Sequence, residues 1–234
     1  MSTGRGSLGL LSLGRVEYGR ALELQRELWR LRVEDAIPDT LVLLEHEPVI
    51  TLGRSAKASN LLVSEAELAR RGVALYRIER GGDVTFHGPG QLVGYPVFQL
   101  RRGLVHHVET LAAALVAVCA ELGISAQWRS DPAGVWVGRD KVAAFGLHVH
   151  QGVAIHGFAL NVTTPLEAFG AIVPCGLRAA GVTSLAELTG GRCPTPENLA
   201  PRVAAAVGLA FHRPGAPSRA EELWSLLSRS TPIQ

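Results

Sequence analysis

The chain is organised around residues 80–91, which read Arg-Gly-Gly-Asp-Val-Thr-Phe-His-Gly-Pro-Gly-Gln. Four glycines and a proline lie within this stretch, yet β-favouring runs flank it at 75–78 and 92–98. The glycines bracket a short alternating segment, residues 84–87, that itself predicts a strand. Glycine weakens a sheet and is most useful where a ligand lies close to the backbone. The stretch therefore predicts either a cradle for a small molecule or a glycine-rich hairpin, and its spacing alone favours neither.

The segments around this stretch predict an α+β fold, with a single mixed β-sheet packed with helices. Strand-like segments cluster in the middle of the chain, and amphipathic helices precede and follow them rather than alternating with them. A capping box that starts at Ser64 predicts a short helix, and a long apolar helix is predicted over 105–123. We expect a flexible N-terminus over 1–9, a single domain over 10–212 and a helical tail over 213–234.

The composition narrows the class of protein. The chain has 234 residues with 47% apolar residues, 19% charged residues and a net charge of +2. This balance provides no basic surface for nucleic acid, and no apolar run reaches the length that predicts a membrane span. The three cysteines have neither metal-ligand nor disulfide spacing, which suits a reducing compartment. We therefore expect a cytoplasmic enzyme or binding domain with no nucleic acid and no membrane as partner.

Among the cysteines, Cys175 is the best candidate for a nucleophile. It lies between Pro174 and Gly176, in a tight segment that presents side chains rather than packing them. Cys119 falls inside an apolar helix, where cysteine behaves as a small hydrophobic residue, and Cys193 follows a predicted exposed turn. An inert cysteine remains the alternative, because reactivity requires a nearby cation or base.

Three residues could activate such a thiol. Lys141 is one of only two lysines, while the other 21 basic residues are arginine. Lysine can lose its proton and arginine cannot, so a lysine in this chain suggests proton transfer. His87 and His156 are the other candidates. The alternatives are an ordinary solvated lysine at a turn and a satisfied core histidine.

The remaining histidines predict less chemistry. His148 and His150 lie on one face of a strand, a spacing that can chelate a metal, but no third ligand follows nearby. We therefore expect no metal site. His106 and His107 open a helix and are predicted to lie at the surface.

Several of these stretches, taken in order, resemble the lipoyl(octanoyl) transferase family. The glycine-rich stretch 80–91 and the Pro-Cys-Gly sequence at 174–176 carry the resemblance, which extends from about residue 10 to residue 210. Other matching segments are residues 44–53, 138–143 and 156–161. The family's fold resembles the catalytic domain of biotin and lipoate–protein ligases, which agrees with the α+β prediction.

The resemblance implies a specific reaction. Family members take an octanoyl group from octanoyl-acyl carrier protein and place it on a lysine of apo-lipoyl domains, in 2-oxoacid dehydrogenases and the glycine cleavage H protein. Cys175 would form an acyl-thioester, and Lys141 would lower the pKa of its thiol. No cofactor is expected, because the donor thioester on phosphopantetheine is already activated. The substrate-binding residues implied are Arg80, Gly81, Gly82, Asp83, Val84, Thr85, Phe86, His87, Ala144, Phe145, Gly146, Gly157, Phe158 and Ala159.

Two other functions fit parts of the sequence. An ATP-dependent lipoate–protein ligase has a comparable glycine-rich stretch and lysine, but its adenylate chemistry gives Cys175 no role. A non-catalytic acyl-binding domain would bind acyl chains and modify no lipoyl domain. Labelling of Cys175 by an acyl donor without nucleotide distinguishes the transferase from both.

Overall fold

The structure is a computed structural model that describes residues 8–173, 181–213 and 215–217. In chain order, the first half contains β1 (Leu8–Val16), α1 (Tyr18–Val33), β2 (Thr40–His46), β3 (Val49–Leu52), α2 (Glu65–Arg70), β4 (Ala74–Arg77), β5 (Val84–His87) and β6 (Gln91–Val97). The second half contains α3 (Gly103–Glu121), β7 (Gln127–Ser130), β8 (Ala133–Val137), β9 (Asp140–His150), β10 (Val153–Asn161), β11 (Gly181–Val182), α4 (Leu185–Leu188), α5 (Pro196–Ala210) and β12 (Gly215–Pro217). Two 3₁₀ turns, Ala58–Asn60 and Leu166–Ala171, complete the described elements.

The strands form two sheets rather than the single sheet expected. The large sheet has the order β12-β1-β2-β6-β10-β9-β8-β7, and β11 pairs with β9 outside this path. It mixes parallel pairs at β1 with antiparallel pairs at its centre. The small sheet has the order β4-β3-β5. The fold class is still a mixed sheet packed with helices, so the α+β prediction is confirmed in class and corrected in the number of sheets.

Helices cover the large sheet on both faces. One face packs against α3 and α5 through side chains such as Leu92 and Leu160. The other face packs against α1 through alternate positions such as Val93 and Ala159. Because side chains alternate along a strand, each central strand contributes to both clusters. The small sheet lies on the α1 side, where Tyr18 and Leu22 pack against Val49.

Capping side chains fix where several helices begin. The Glu17 carboxylate accepts hydrogen bonds from the backbone N–H groups of Gly19 and Arg20, at 2.8 and 3.0 Å. The Ser64 hydroxyl accepts from the N–H of Glu67 at 3.2 Å, which confirms the helix start predicted there, while the Glu67 carboxylate pairs with Arg70 and Arg71. These bonds satisfy backbone donors that the first turn of a helix leaves unpaired.

The structure corrects several expectations about the ends of the chain and about α3. β1 begins at Leu8, inside the stretch assigned to a flexible N-terminus. Residues 215–217 form β12 beside β1 rather than a helix, and the helix predicted within 218–234 lies outside the described residues. His107 is buried rather than at the surface, and its ring packs between Phe98 and Phe211.

Among the described helices, α3 alone is long and apolar enough to cross a membrane by length and composition. Its inner face, including Leu111, Leu115 and Val118, is fully buried in the large cluster with α5. An apolar core helix passes the same test of length and composition. One face of α3 is thus packed in the core, and 39% of its apolar window is buried.

Candidate active site

A cleft opens where the small sheet meets the centre of the large one. Its empty volume, including the open mouth, is about 470 Å³. Strand backbone and mostly apolar side chains line the cleft. The lining residues are Arg80, Gly82, Asp83, Val84, Thr85, His87, Val93, Tyr95, Ala144, Phe145, Gly146, Gly157, Phe158 and Ala159. All the predicted substrate-binding residues except Gly81 and Phe86 are therefore brought together in one cleft.

The register of the central strands explains why these residues meet. In the β9–β10 pair, Ala144 lies opposite Ala159 and Gly146 opposite Gly157. In the β10–β6 pair, Ala159 lies opposite Val93. Three neighbouring strands thus place small residues side by side, which leaves a shallow apolar floor.

Two predicted residues do not line the cleft. Phe86 packs edge-on against Phe169, with ring centroids 5.7 Å apart, in the apolar cluster behind the small sheet. Gly81 donates its N–H to the carbonyl of Leu147 at 2.9 Å and so joins the glycine-rich loop to β9.

The glycine at 157 is required by the packing between strands. A Cβ built on Gly157 would lie 2.1 Å from the carbonyl oxygen of Gly94 and 2.5 Å from the ring of Pro96. Gly94 is constrained in the same way, because its Cβ would lie 2.2 Å from the Phe158 ring. Gly157 therefore lines the cleft, as predicted, and β6 also requires a glycine at this position.

Arg80 holds the loop that leads into the cleft. Its guanidinium is buried and donates to the Thr51 hydroxyl at 3.0 and 3.1 Å and to the Thr51 carbonyl at 2.7 Å. It also donates to the carbonyls of Gly81 and Asp83 at 2.9 and 2.7 Å. Charge-assisted bonds to carbonyl oxygens fix the loop against β3. The result is a rigid edge of the cleft that carries a positive charge.

A cluster of buried histidines and tyrosines backs the cleft. His46 donates through Nδ1 to the carbonyl of Val16 at 2.9 Å, and its Nε2 accepts from the Tyr95 hydroxyl at 2.5 Å. The Nδ1 of His87 donates to the Gln91 side-chain oxygen at 2.8 Å, which leaves its Nε2 as an acceptor. Burial lowers the pKa of His46 to about 4 and that of His87 to about 3. Both rings are therefore neutral at pH 7, and neither supplies a cation.

His156 lies in the same region, in a strained backbone conformation. Its φ is 57°, and its Nε2 is 3.9 Å from the Glu79 carboxylate. Burial lowers the pKa of His156 below its ordinary value, and the nearby carboxylate opposes that shift. His156 is thus a core histidine with a carboxylate neighbour. It is not among the described residues that line the cleft.

A second, more polar chamber adjoins the cleft and holds Lys141. The two share Gly82, Asp83 and Phe145, and the chamber's empty volume, including its open mouth, is about 1190 Å³. The other lining residues are Ser55, Lys57, Ser59, Asn60, Pro132, Ala133 and Lys141. Both lysines of the chain therefore line one chamber.

Lys141 is buried, so the alternative of a solvated lysine at a turn is wrong. The side chain is 7% exposed; its Nζ donates to the carbonyl of Ala133 at 3.0 Å and lies 4.9 Å from the centre of the Trp136 ring. The ring stabilises the ammonium by a cation–π interaction. A Cβ on Gly134 would lie 2.8 Å from the Lys141 Cε, so the glycine makes room for this side chain.

The expected nucleophile, Cys175, lies outside the described residues, but the chain on both sides of it is anchored at this chamber. Before it, Val173 donates its N–H to the carbonyl of Asn60 at 2.8 Å. After it, β11 pairs with the start of β9, where Val182 lies opposite Lys141. Both anchors are residues that line the chamber.

The other two cysteines are poor nucleophiles. Cys119 is fully buried in α3, as expected, and burial raises the pKa of its thiol to about 11. Cys193 is half-buried rather than exposed, its sulfur is 3.8 Å from the carbonyl of Val162, and burial raises the pKa of its thiol. Within the described ranges no group of three or more His, Cys, Asp or Glu residues is arranged to hold a metal ion.

Several residues that build the site were missed from the sequence. Val93 and Tyr95 line the cleft, and their alternation along a predicted strand was the available signal. Asn60 contacts a residue distant in sequence, and Trp136 contacts one across a β-bulge. No local sequence pattern marks either contact.

Comparison with known proteins gives the class to which this geometry belongs. The family model described as the lipoyl protein ligase A/B catalytic domain matches residues 17–208. The chain belongs to this family, and the resemblance stated from the sequence is confirmed.

More specific relatives carry a more specific name. An octanoyltransferase from Acidobacterium capsulatum is 47% identical over 194 residues, which is 76% of this chain and 79% of that protein. An octanoyltransferase from Alkaliphilus metalliredigens is 49% identical over 187 residues, which is 78% of this chain and 86% of that protein. With such relatives over most of its length, the chain is an acyltransferase.

Solved structures with low identity share the fold. A lipoate-protein ligase A bound with ATP has a TM-score of 0.69 at 16% identity, covering 97% of both chains. A bi-partite lipoate protein ligase from Thermoplasma acidophilum also has a TM-score of 0.69 at 16% identity, covering 96% of this chain and 92% of that one. The ligase-like fold predicted from the sequence is confirmed.

Proposed function

We propose that this chain transfers an octanoyl group from octanoyl-acyl carrier protein to a lysine of apo-lipoyl domains, through a thioester on Cys175. The observation that carries the proposal is the junction of an apolar cleft with a polar chamber that holds Lys141. The cleft suits an eight-carbon chain, because backbone and small or apolar side chains line it. The octanoyltransferase relatives support the acyl group proposed.

The anchors of the segment 174–180 support Cys175 as the nucleophile. Val173 is the second residue before Cys175 in the chain. Val173 is bonded to Asn60, which lines the same chamber as Lys141. The described residues on both sides of this segment are thus bonded to residues of the chamber.

The first step acylates the enzyme. With Lys141 as the ammonium, Cys175 is a thiolate, which attacks the carbonyl carbon of the donor thioester. A new carbon–sulfur bond forms and the bond to the pantetheine sulfur breaks. The leaving thiolate takes a proton from Lys141, which becomes a neutral amine. Arginine could stabilise the thiolate but could not give up this proton.

The second step delivers the acyl group. The neutral amine of the acceptor lysine attacks the Cys175 thioester, a carbon–nitrogen bond forms and the carbon–sulfur bond breaks. Neutral Lys141 takes the proton that the acceptor amine loses, which restores the thiolate and the ammonium. Protons balance over the two steps, and neither step requires ATP or another cofactor. Acyl carrier protein is thus the donor, and lipoyl domains of 2-oxoacid dehydrogenases and the glycine cleavage H protein are the acceptors.

One experiment tests the nucleophile and the donor together. The enzyme is incubated with octanoyl-acyl carrier protein without nucleotide, and its intact mass is measured. We expect an octanoyl adduct on the wild type, none on Cys175→Ala, and retention of the adduct on Cys119→Ala. Addition of an apo-lipoyl domain should discharge the adduct onto its lysine. No adduct, or an adduct that survives Cys175→Ala, would contradict the proposal; transfer that depends on ATP would indicate a ligase instead.

A further inference from the structure

We propose that Asn60 is a positioning residue that fixes the segment leading to the nucleophile against the acyl cleft. This inference rests on the proposed role of Cys175. Asn60 lies at the end of the 3₁₀ turn Ala58–Asn60 and is 8% exposed. Its side chain and its backbone bind two different parts of the site.

The side chain binds the glycine-rich loop. Its Nδ2 donates to one carboxylate oxygen of Asp83, a residue that lines both the cleft and the chamber. The other oxygen of Asp83 accepts from the N–H groups of Val84 at 2.8 Å and of Lys57 at 3.2 Å. A carboxylate with several donors of this kind is held in one orientation. The turn that contains Asn60 is thereby fixed to the start of β5.

The backbone binds the segment that precedes Cys175. The carbonyl of Asn60 accepts from the N–H of Val173 at 2.8 Å, and the N–H of Leu62 donates to the carbonyl of Ala171 at 2.9 Å. Between them, Leu61 and Ile172 form an antiparallel bridge and pack in the same apolar cluster. Val173 is therefore held in register with Asn60, two residues before the cysteine.

Together these contacts make a short mechanical link. Asp83 marks the boundary between the acyl cleft and the chamber, Asn60 binds Asp83, and Val173 binds Asn60. A displacement of Asn60 would move Val173, the residue that leads into the segment with Cys175, relative to both the cleft and Lys141. Misplacement of reacting groups by about 1 Å can cost about a hundredfold in rate. Asn60 thus acts on catalysis through the position of Cys175 and does not need to touch the substrate.

A reciprocal exchange of the two side chains tests this link. Asn60→Asp places two carboxylates together and removes the donor, so kcat for octanoyl transfer should fall roughly 10- to 100-fold with little change in KM for the acyl donor. The pH midpoint of iodoacetamide labelling at Cys175 should rise, because the stabilisation of its thiolate proposed for Lys141 would weaken. The double variant Asn60→Asp with Asp83→Asn restores one donor and one acceptor, and should recover most of the lost kcat and the original midpoint. Asn198→Ala, at an exposed position on α5, is the matched control for loss of an asparagine.

The outcomes separate the two proposals. If the wild type forms no octanoyl adduct, the proposed function is wrong, and the positioning role of Asn60 is overturned with it. If the wild type is acylated but Asn60→Asp keeps the wild-type kcat and labelling midpoint, Asn60 does not position the nucleophile, even where its melting temperature falls. Failure of the double variant to recover the midpoint would equally overturn the link through Asp83.

Discussion

Lowering the pH from 7 to 5 should strongly destabilise the folded chain, because buried histidines are held neutral in it. Burial lowers the pKa of His46 and His107 to about 4 and that of His87 to about 3. In the unfolded chain an imidazole titrates near its ordinary pKa of about 6.5. The unfolded chain therefore binds protons that the folded chain does not. Stability from these residues is complete above pH 6.5 and is lost as the pH falls toward 4 and below.

The size of this loss follows from the same pKa values. At pH 5 each imidazole is mostly protonated in the unfolded chain and mostly neutral in the folded chain. The gap is about 1.5 pH units, at about 1.36 kcal/mol per unit, so each histidine costs about 2 kcal/mol of unfolding free energy. Three such losses are comparable with the whole stability of an ordinary domain, about 5–15 kcal/mol. We expect a large drop in the urea midpoint between pH 7 and pH 5.

Urea unfolding at several pH values between 7 and 5 measures the effect, and one variant isolates a single histidine. His107 lies in α3 away from the cleft, its ring packs against two phenylalanines, and its Nε2 has no hydrogen-bond partner among the described residues. His107→Leu should therefore keep the packing and reduce the slope of unfolding free energy near pH 5.5 by about 1.2 kcal/mol per pH unit.

Unfolding free energies that stay constant from pH 7 to pH 5 would refute the reasoning, because the histidines would then be accessible to protons in the folded state. An unchanged slope in His107→Leu would refute it for that residue.

Two substitutions test how the site is held together. Gly134→Ala would place a Cβ 2.8 Å from the Lys141 Cε and 3.0 Å from a backbone carbonyl, so kcat for octanoyl transfer should fall roughly 10- to 100-fold. Gly14→Ala is the control and should keep the wild-type kcat, because nothing lies within 4 Å of a Cβ at that position. Equal kcat values in steady-state assays of the two variants would contradict this. Thr51→Val removes the hydroxyl that accepts two hydrogen bonds from the buried Arg80 and should cost about 1–3 kcal/mol in urea unfolding. A Thr51→Val protein as stable as the wild type would show that the hydroxyl does not hold the guanidinium.

The parts of the fold that could be predicted from the sequence are those set by local patterns. The alternation at 84–87 gave β5, and the serine at 64 with a glutamate three residues later gave the start of α2. The lining of the cleft was also largely predictable through the family resemblance, because β9 and β10 form a tight antiparallel hairpin. Once 144–146 and 157–159 lie on that hairpin, their register brings them together.

The errors arose where long-range packing decides the structure. The small sheet separates from the large one because β3 pairs with β4 and β5 instead of a central strand, and strand partners cannot be read from one strand's own residues. His107 was placed at the surface because it opens a helix, although it lies four residues before Leu111 on the buried face. That spacing was a usable signal, whereas the contact of Asn60 with Asp83 left none in the sequence.

The two compartments of the site have opposite physical requirements, and this explains why one loop must serve both. An acyl chain needs apolar walls, while thiolate and amine chemistry needs a nearby charge and room for the polar phosphopantetheine group of the donor. In the proposed mechanism the acyl carbonyl carbon would lie at the border, where Gly82, Asp83 and Phe145 line both spaces. Arg80 fixes one end of the glycine-rich loop to β3, and Asn60 binds the Asp83 carboxylate of the same loop from the other side. If either contact is weakened, the cleft and the chamber should both change. A variant that alters the preference for acyl-chain length without altering kcat is therefore expected only from residues on the cleft floor, such as Ala159.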